Sequence, residues 1–172
     1  MNNRSEQRQP SSGYQPRSGG SPPERRLTDV WPRYLEGGYF EGEEKNLRLE
    51  YVERLKMEEI AQLMASARPA LTSNQLRRFF GHSRAVEAQL RAAQNRGDTD
   101  GWARLMPLFQ KLDVAAADAR SKTEAKIPQS FHDFIMLNVR AVHNERDFLE
   151  GFLPHFEALV GFGSKYLDRE RR

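Results

Sequence analysis

Residues 71–90 read LTSNQLRRFFGHSRAVEAQL, and this stretch decides the fold. Thr72 and Gln75 form the pattern S/T-x-x-E/Q, in which each side chain bonds the backbone N–H of the other residue at a helix start. Apolar residues then recur every three or four positions from Leu76 to Leu90. That spacing places them on one face of a helix. The stretch therefore predicts a capped amphipathic α-helix with one buried side.

Four further stretches, at residues 49–64, 102–119, 131–142 and 148–166, show the same apolar spacing. Pro107, Pro128 and Pro154 are expected to kink these helices or to begin them. No stretch alternates with period two, as a half-buried strand would. We therefore predict an all-α protein, a compact bundle of about five to six helices.

The chain divides into a tail and one domain. Residues 1–26 are rich in Ser, Gly, Pro, Gln and Arg, and Tyr14 is their only aromatic residue. Such a composition buries too little apolar surface to offset the entropy lost on ordering. We expect residues 1–26 to form a disordered basic tail and residues 27–172 to form a single helical-bundle domain.

The composition excludes several classes of function. The chain contains no cysteine, which excludes disulfides, zinc sites with cysteine ligands and thiol nucleophiles. The four histidines lack the i, i+4 spacing with an intervening glutamate that a helical zinc site requires. No apolar run approaches the roughly 20 residues that span a bilayer. We expect a cytoplasmic protein with no metal, no cofactor and no membrane association.

Basic residues are concentrated in the middle of the chain. Residues 68–126 contain 11 basic and 6 acidic side chains, whereas residues 27–67 contain 5 basic and 9 acidic ones. The folded part of the chain is therefore acidic at first and basic in the middle. Its basic region is suited to binding a polyanion. The acidic segment provides a second surface of opposite charge.

The basic residues of this middle region follow helix geometry. Arg77, Arg84 and Arg91 are seven residues apart, so they lie along one flank at intervals of roughly 10 Å, and Arg78 extends this stripe. Such a spacing lets arginines follow a phosphate backbone, although basic side chains on exposed helix faces are also commonly just solvated. Further basic residues follow on the next helix and at its C-terminal end: Arg104, Lys111, Arg120, Lys122 and Lys126.

Two motifs resemble the small subunit of the type III-A CRISPR (Csm) effector complex. Residues 71–80 (LTSNQLRRFF) resemble the "LT-x-S-[QK]-[IL]-R" helix start of that family, and residues 152–160 (FLPHFEALV) resemble its "hFEALVAY" signature. Between them, Lys111-Leu112 and residues 116–120 (AADAR) fit its "K/R-L … Y-x-A-x-R" helix. The resemblance covers about residues 47–167.

This resemblance implies a non-catalytic subunit in antiviral defence that stacks in several copies along a ribonucleoprotein. Its partners would be guide RNA, target RNA, other Csm subunits and copies of itself. The protein would brace the guide–target duplex through basic side chains and leave sequence recognition to base pairing. By match to the motifs the RNA-binding residues are Arg77, Arg78, Lys111 and Arg120. Helical geometry adds Arg84, Arg91, Lys122 and Lys126.

Two other functions remain open at this point. A helical protein–protein adaptor without a nucleic-acid role would carry the arginine stripe as a solvated face. An enzyme would use His132 or His155 with nearby carboxylates such as Asp133 and Glu157, although such neighbours also occur by chance on charged helices.

Overall fold

The capped helix begins where the sequence predicts it. Gln75 donates its backbone N–H to Thr72 Oγ1 over 3.2 Å, and Thr72 donates its backbone N–H to Gln75 Oε1 over 2.9 Å. This capping box satisfies N–H groups that have no partner within the first helical turn. The Gln75 side-chain amide also donates to the carbonyl of Lys126 over 2.7 Å, which ties this helix start to the loop after the next helix.

The computed structural model describes residues 24–121 and 123–167, and most of this part of the chain is helical. The α-helices in these ranges are α1 (Leu27–Val30), α2 (Arg54–Ser66), α3 (Ser73–Asn95), α4 (Gly101–Ser121), α5 (Gln129–Ala141) and α6 (Leu153–Leu167). A 3-10 turn, Leu49–Tyr51, precedes α2, and a π-helical stretch, Asp147–Phe152, runs into α6. The all-α prediction and the predicted number of helices are confirmed. None of the described helices is long and apolar enough to cross a membrane.

The helices pack around one aromatic core. Helix α2 lies along α6, α3 packs against both α4 and α6, and α5 packs against α4. Fully burying a phenylalanine side chain stabilises a fold by about 1.5–3 kcal/mol, so the buried rings dominate this core. The completely buried phenylalanines are Phe109, Phe131, Phe134, Phe148, Phe152 and Phe156. Phe79 packs edge-on against Phe131, with ring centroids 5.1 Å apart, and Phe80 packs on Phe156 at 5.3 Å.

A buried polar network fastens the segment before α2 to the bundle. Tyr39 donates to Asn138 Oδ1 over 2.7 Å, and Asn138 Nδ2 donates to the Tyr34 hydroxyl over 2.5 Å. Tyr34 donates to His155 Nε2 over 2.7 Å, and His155 Nδ1 donates to the carbonyl of Tyr51 over 2.6 Å. The carbonyl can only accept, so it fixes the tautomer of His155. Since the network joins three tyrosines of this segment to α5 and α6, it holds the segment in place.

The fold contains a small hairpin that the sequence did not predict. Strands β1 (Phe40–Glu41) and β2 (Asn46–Leu47) pair antiparallel, with Phe40 opposite Leu47. Two residues are too few to produce a recognisable alternation of apolar and polar side chains. The turn between the strands contains Gly42 and Lys45, both with positive φ, at 75° and 51°.

The prolines mark helix boundaries in two of three cases. Pro128 stands immediately before α5, and α6 begins one residue before Pro154. Pro107, in contrast, lies inside α4, which runs through it without restarting. Proline leaves the carbonyl of the residue four positions earlier without its helical partner. That residue, Ala103, is exposed, so water can bond its carbonyl.

Candidate nucleic-acid interface

Helices α3 and α4 lie side by side, joined by a short loop, and leave a groove between them. A cavity of about 370 Å³ lies in this groove. Its floor is apolar and buried, and its rim is exposed and basic. The lining side chains are Arg78, Phe79 and His82 from α3 and Lys111, Leu112 and Ala115 from α4.

His82 bridges the two helices that form the groove. Its Nε2 lies 3.0 Å from the carbonyl oxygen of Leu108 on α4. Because a carbonyl only accepts, Nε2 carries the proton and donates. In the neutral ring Nδ1 is therefore an acceptor, and no residue in the described part of the chain donates to it.

Three of the predicted RNA-binding residues have no carboxylate partner among the residues that the structure describes. These are Arg77, Arg78 and Lys111, all exposed, and we refer to them as the unpaired trio. Arg78 and Lys111 stand on opposite sides of the cavity, and Arg77 precedes Arg78 near the start of α3. Guanidinium and ammonium groups form charge-assisted hydrogen bonds with phosphate oxygens. Arg78 and Lys111 therefore make this part of the groove suitable for binding an anion, and Arg77 adds a third exposed cation near the start of α3.

Arg84 and Arg91 share one acidic partner. Arg84 Nη1 lies 2.5 Å from Glu87 Oε2, and Arg91 Nε donates to Glu87 Oε1 over 2.9 Å. The Glu87 side chain is only 8% exposed, whereas the two arginines are 53% and 58% exposed. Residues three and four positions apart meet on a helix surface, which explains both contacts. The two guanidinium groups are thus held against one carboxylate, and their combined charge is partly neutralised.

Arg120 faces α5 and not the groove. Its Nε donates to Gln129 Oε1 over 3.1 Å, and its Nη2 donates to Glu24 Oε2 over 2.5 Å. The other oxygen of Glu24 accepts the backbone N–H of Gln129 over 2.6 Å, at the start of α5. The Arg120 side chain is 26% exposed. One carboxylate therefore engages both Arg120 and the positive end of the α5 dipole.

The remaining two predicted RNA-binding residues follow α4. Lys126 is exposed, and its ammonium lies 3.8 Å from a carboxylate oxygen of Glu124. At this distance an exposed pair contributes little and leaves the charge accessible. Lys122 lies outside the described residues.

A second contact of the N-terminal segment escaped the sequence analysis. Arg26 donates through Nε and Nη2 to the two carboxylate oxygens of Asp133, over 3.1 and 2.9 Å. Burial raises the pKa of Asp133, but hydrogen bonds from Arg26, Gln129 and Leu27 outweigh it and hold the pKa below its ordinary value. The pair is 107 residues apart in sequence, so no local pattern signals it. Residues 1–23 of the predicted tail lie outside the described residues.

The histidines considered for acid–base chemistry have other partners. Burial lowers the pKa of His155 to about 4, and both ring nitrogens are hydrogen-bonded, so it stays neutral at pH 7 with no free atom. Glu157 is exposed while His155 is buried, so these neighbours in sequence point apart. His132 Nδ1 accepts from the Gln129 amide over 3.2 Å. In the described ranges no three His, Cys, Asp or Glu side chains are grouped to hold a metal ion.

The groove continues towards the loop between α3 and α4. A second cavity, of about 190 Å³, is lined there by Arg96 and Arg104 together with small and apolar side chains. Arg104 forms an ion pair with Asp98. Arg96 is exposed and has no carboxylate partner in the part of the chain described here. Arg96 precedes Gly97 and was not among the predicted RNA-binding residues.

Comparisons with known proteins give one match. No curated protein and no solved structure matches the chain. The model of the family described as Csm2 Type III-A matches residues 52–169, which is more than half of the chain. The matched region includes helices α2 to α6 and both motifs, residues 71–80 and 152–160, on which the resemblance rests. The prediction from sequence is therefore confirmed: the chain belongs to the Csm2 type III-A family, the small subunit of the type III-A Csm effector complex.

Proposed function

We propose that this small subunit binds the RNA of a type III-A CRISPR effector through the basic end of the α3–α4 groove. It braces the guide RNA–target RNA duplex as a non-catalytic component of antiviral defence in the cytoplasm. The observation that carries the proposal is the unpaired trio, Arg77, Arg78 and Lys111. These are three exposed cations with no carboxylate among the described residues, and two of them flank one cavity.

The other predicted RNA-binding residues have smaller parts in this proposal. Arg84, Arg91, Arg120 and Lys126 each lie beside a carboxylate, which competes with phosphate for the same donors. A phosphate contact by these residues therefore has to displace, or share the donor with, an internal acceptor. Lys122 lies outside the described residues, and we retain it among the proposed RNA-binding residues because it is basic and lies between Arg120 and Lys126 in sequence.

The proposed contact reads charge and shape and does not read sequence. The unpaired trio consists of Arg and Lys side chains that suit phosphate oxygens, and contacts to the RNA backbone carry no base information. Base pairing between guide and target supplies specificity in RNA-guided systems. Binding by the subunit should therefore be independent of the guide sequence and should weaken steeply as salt is added.

Stacking of copies is the second element of the proposal. Leu49 and Leu55 are 70% and 72% exposed, and both belong to the acidic segment of residues 27–67. Val114 is 67% exposed on α4, within the basic middle of the chain. Large exposed apolar side chains on surfaces of opposite charge favour a head-to-tail contact between copies, which extends into a filament when its rotation does not close. Sedimentation of the assembled complex should then show a loss of copies for Leu55→Glu.

The direct test compares two charge reversals in the assembled complex. Lys111→Glu changes a residue at the cavity, while Arg140→Glu makes the same change at an exposed position on α5 that lines no part of it. We expect Lys111→Glu to lower RNA retention, most strongly at low salt, and Arg140→Glu to leave it near the wild-type value. Circular dichroism would show whether both variants keep their helicity.

The adaptor function makes the opposite prediction. The exposed Leu49 and Leu55 also suit a surface that binds protein alone. If Lys111→Glu and Arg140→Glu retain RNA equally well in the complex, the basic groove is a solvated surface. The subunit would then serve as a protein–protein adaptor, and the RNA part of our proposal would be wrong.

A further inference from the structure

We infer that the cavity between α3 and α4 is a binding pocket for one unpaired nucleobase of an RNA strand. The inference rests on the proposed function and adds a binding mode to it. Besides phosphates held at the surface, the subunit would take a single base out of the strand and into the groove. Three properties of the cavity support this binding mode: its size, its charge and its hydrogen-bonding capacity.

The cavity has the size and lining of a small-ligand site. Its volume of about 370 Å³ lies near the lower end of the range of about 300–1,000 Å³ that small-molecule pockets occupy. Phe79 and Leu112 form a buried apolar floor, and the small side chain of Ala115 leaves the mouth open. A planar, weakly polar ring suits such a space better than a phosphate does. Bases bind proteins in this way by stacking on apolar and aromatic side chains.

The charge around the mouth selects a nucleic acid over other planar ligands. Arg78 and Lys111 are exposed on opposite sides of the cavity, one from each helix. No carboxylate in the described part of the chain neutralises either side chain. A strand that crosses the groove places one phosphate on each side of the base that it inserts. The two cations are arranged to bind these two phosphates.

The lining also offers one hydrogen-bond acceptor. Because His82 Nε2 donates to the carbonyl of Leu108 over 3.0 Å, the neutral ring leaves Nδ1 as an acceptor. All four RNA bases carry at least one N–H group on the edge that pairs with another strand. An unpaired base therefore brings a donor to a pocket whose lining includes His82. In a duplex this edge faces the partner base and the base is stacked between its neighbours, so the pocket should prefer unpaired nucleotides.

The test is a substitution that blocks the opening of the pocket and leaves its charged residues unchanged. Ala115 and Ala117 are both exposed on α4, but only Ala115 lines the cavity. We would titrate the full chain, as wild type, Ala115→Trp and Ala117→Trp, with a labelled single-stranded RNA. A second titration would use an abasic strand with the same number of phosphates. Helicity measured by circular dichroism would confirm that each variant is folded.

For the wild type we expect the RNA to bind about tenfold more tightly than the abasic strand, which is the contribution of one inserted base. Ala115→Trp should remove most of this difference and leave abasic binding unchanged, while Ala117→Trp should behave as the wild type. If the wild type binds both strands equally, or if the two tryptophan variants behave alike, the cavity does not bind a nucleobase.

Lys111→Glu separates this inference from the proposed function. If both strands bind the wild type equally and Lys111→Glu weakens both, the phosphate contact stands and the nucleobase pocket is wrong. If neither strand binds the wild type, the pocket and direct RNA contact by the chain fail together. The expected result is that Lys111→Glu weakens both strands while Ala115→Trp weakens only the strand that has bases.

Discussion

The arginine stripe of α3 has two halves that behave differently. Near the start of the helix, Arg77 and its neighbour Arg78 have no carboxylate partner among the described residues. About two and four turns after Arg77, Arg84 and Arg91 both contact the nearly buried Glu87. All four side chains are exposed, and three of them share one flank with a spacing of seven. Their environments differ because one half has an acid three or four positions away and the other half has none.

The spacing of arginines along a helix is therefore not sufficient to identify those that bind RNA. A stripe at seven-residue intervals describes where the side chains lie, whereas the residues at i±3 and i±4 decide which acceptors they meet first. For Arg84 and Arg91 the first acceptor is Glu87, so phosphate has to compete with it. For Arg78 the nearest neighbours on the helix are Asn74 and His82, neither of which is an anion.

The largest change that we predict is a loss of stability at low pH. This loss limits the pH range in which RNA binding by the two halves of the stripe can be compared. His155 has a pKa of about 4 in the folded protein and 6.5 as its ordinary value, because burial disfavours its charged form. Between these values the unfolded chain binds a proton that the folded chain does not. His155 therefore does not lower the free energy of unfolding above pH 6.5. As the pH drops towards 4, the free energy of unfolding falls by roughly 3 kcal/mol in total.

Urea unfolding at pH 7.5, 5.5 and 4.5 measures this loss. The variant His155→Gln is expected to be less stable at pH 7.5 but nearly independent of pH in this window, while His143→Gln, at an exposed position, should keep the wild-type dependence. A slope that persists undiminished in His155→Gln would show that another group controls it. The RNA measurements that follow are best made above pH 6.5.

The second expected effect separates the two halves directly. Arg78→Glu and Arg84→Glu make the same charge change on the same helix. Because Arg78 has no internal partner, its reversal should weaken RNA binding about tenfold and lower the dependence on salt by about one phosphate. Arg84→Glu removes a charge that Glu87 partly neutralises, so its effect should be a few-fold at most. Equal losses in the two variants would show that the ion pair with Glu87 does not distinguish the halves.

The third prediction aims to make the two halves alike. Glu87→Gln removes the shared acceptor and releases Arg84 and Arg91. Since ion pairs made by exposed arginines contribute about 0.2–1 kcal/mol, RNA affinity should rise by about 1.5- to fivefold. The matched control is Glu59→Gln, which removes an exposed carboxylate from a pair with Lys56 on α2. If both variants raise the affinity equally, the gain comes from net charge and not from freed arginines.

The smallest expected effect concerns Arg120. Glu24→Gln removes its carboxylate partner, but Gln129 still accepts from Arg120, whose side chain is only 26% exposed. The gain in RNA affinity should therefore be smaller than that of Glu87→Gln, and it should disappear when Arg120 is also changed to Gln. A larger gain than that of Glu87→Gln would show that Arg120 contributes more to RNA affinity than Arg84 and Arg91 do.

Much of the fold could be predicted because its signals are local. The capping box at Thr72 and the recurrence of apolar residues every three or four positions each involve neighbours in sequence, and both describe α3 correctly. The docking of the segment before α2 depends instead on pairs such as Tyr39 with Asn138, which are 99 residues apart. Nothing in the local sequence marks such a pair, so the partners of this segment could be identified only from the structure.

The candidate site also contains some contacts that could be predicted from the sequence and others that could not. That Arg84 and Arg91 would meet Glu87 follows from helical neighbours and was available from the sequence. The contact of Arg120 with Glu24, 96 residues away, was not. The cavity itself depends on how α3 packs against α4, and for this reason His82 and Ala115 were not among the predicted site residues.

We propose that RNA binds through the unpaired trio and not through the arginines that are paired with Glu87. The most direct measurement is the dependence of RNA affinity on salt for wild type, Arg78→Ala/Lys111→Ala and Arg84→Ala/Arg91→Ala. Each lost phosphate contact should reduce the slope of log K against log salt by about 0.7 on a single strand. We predict a reduction of about 1.4 for the first pair and little change for the second. The same slope in all three proteins, or a larger reduction for the second pair, would contradict the claim.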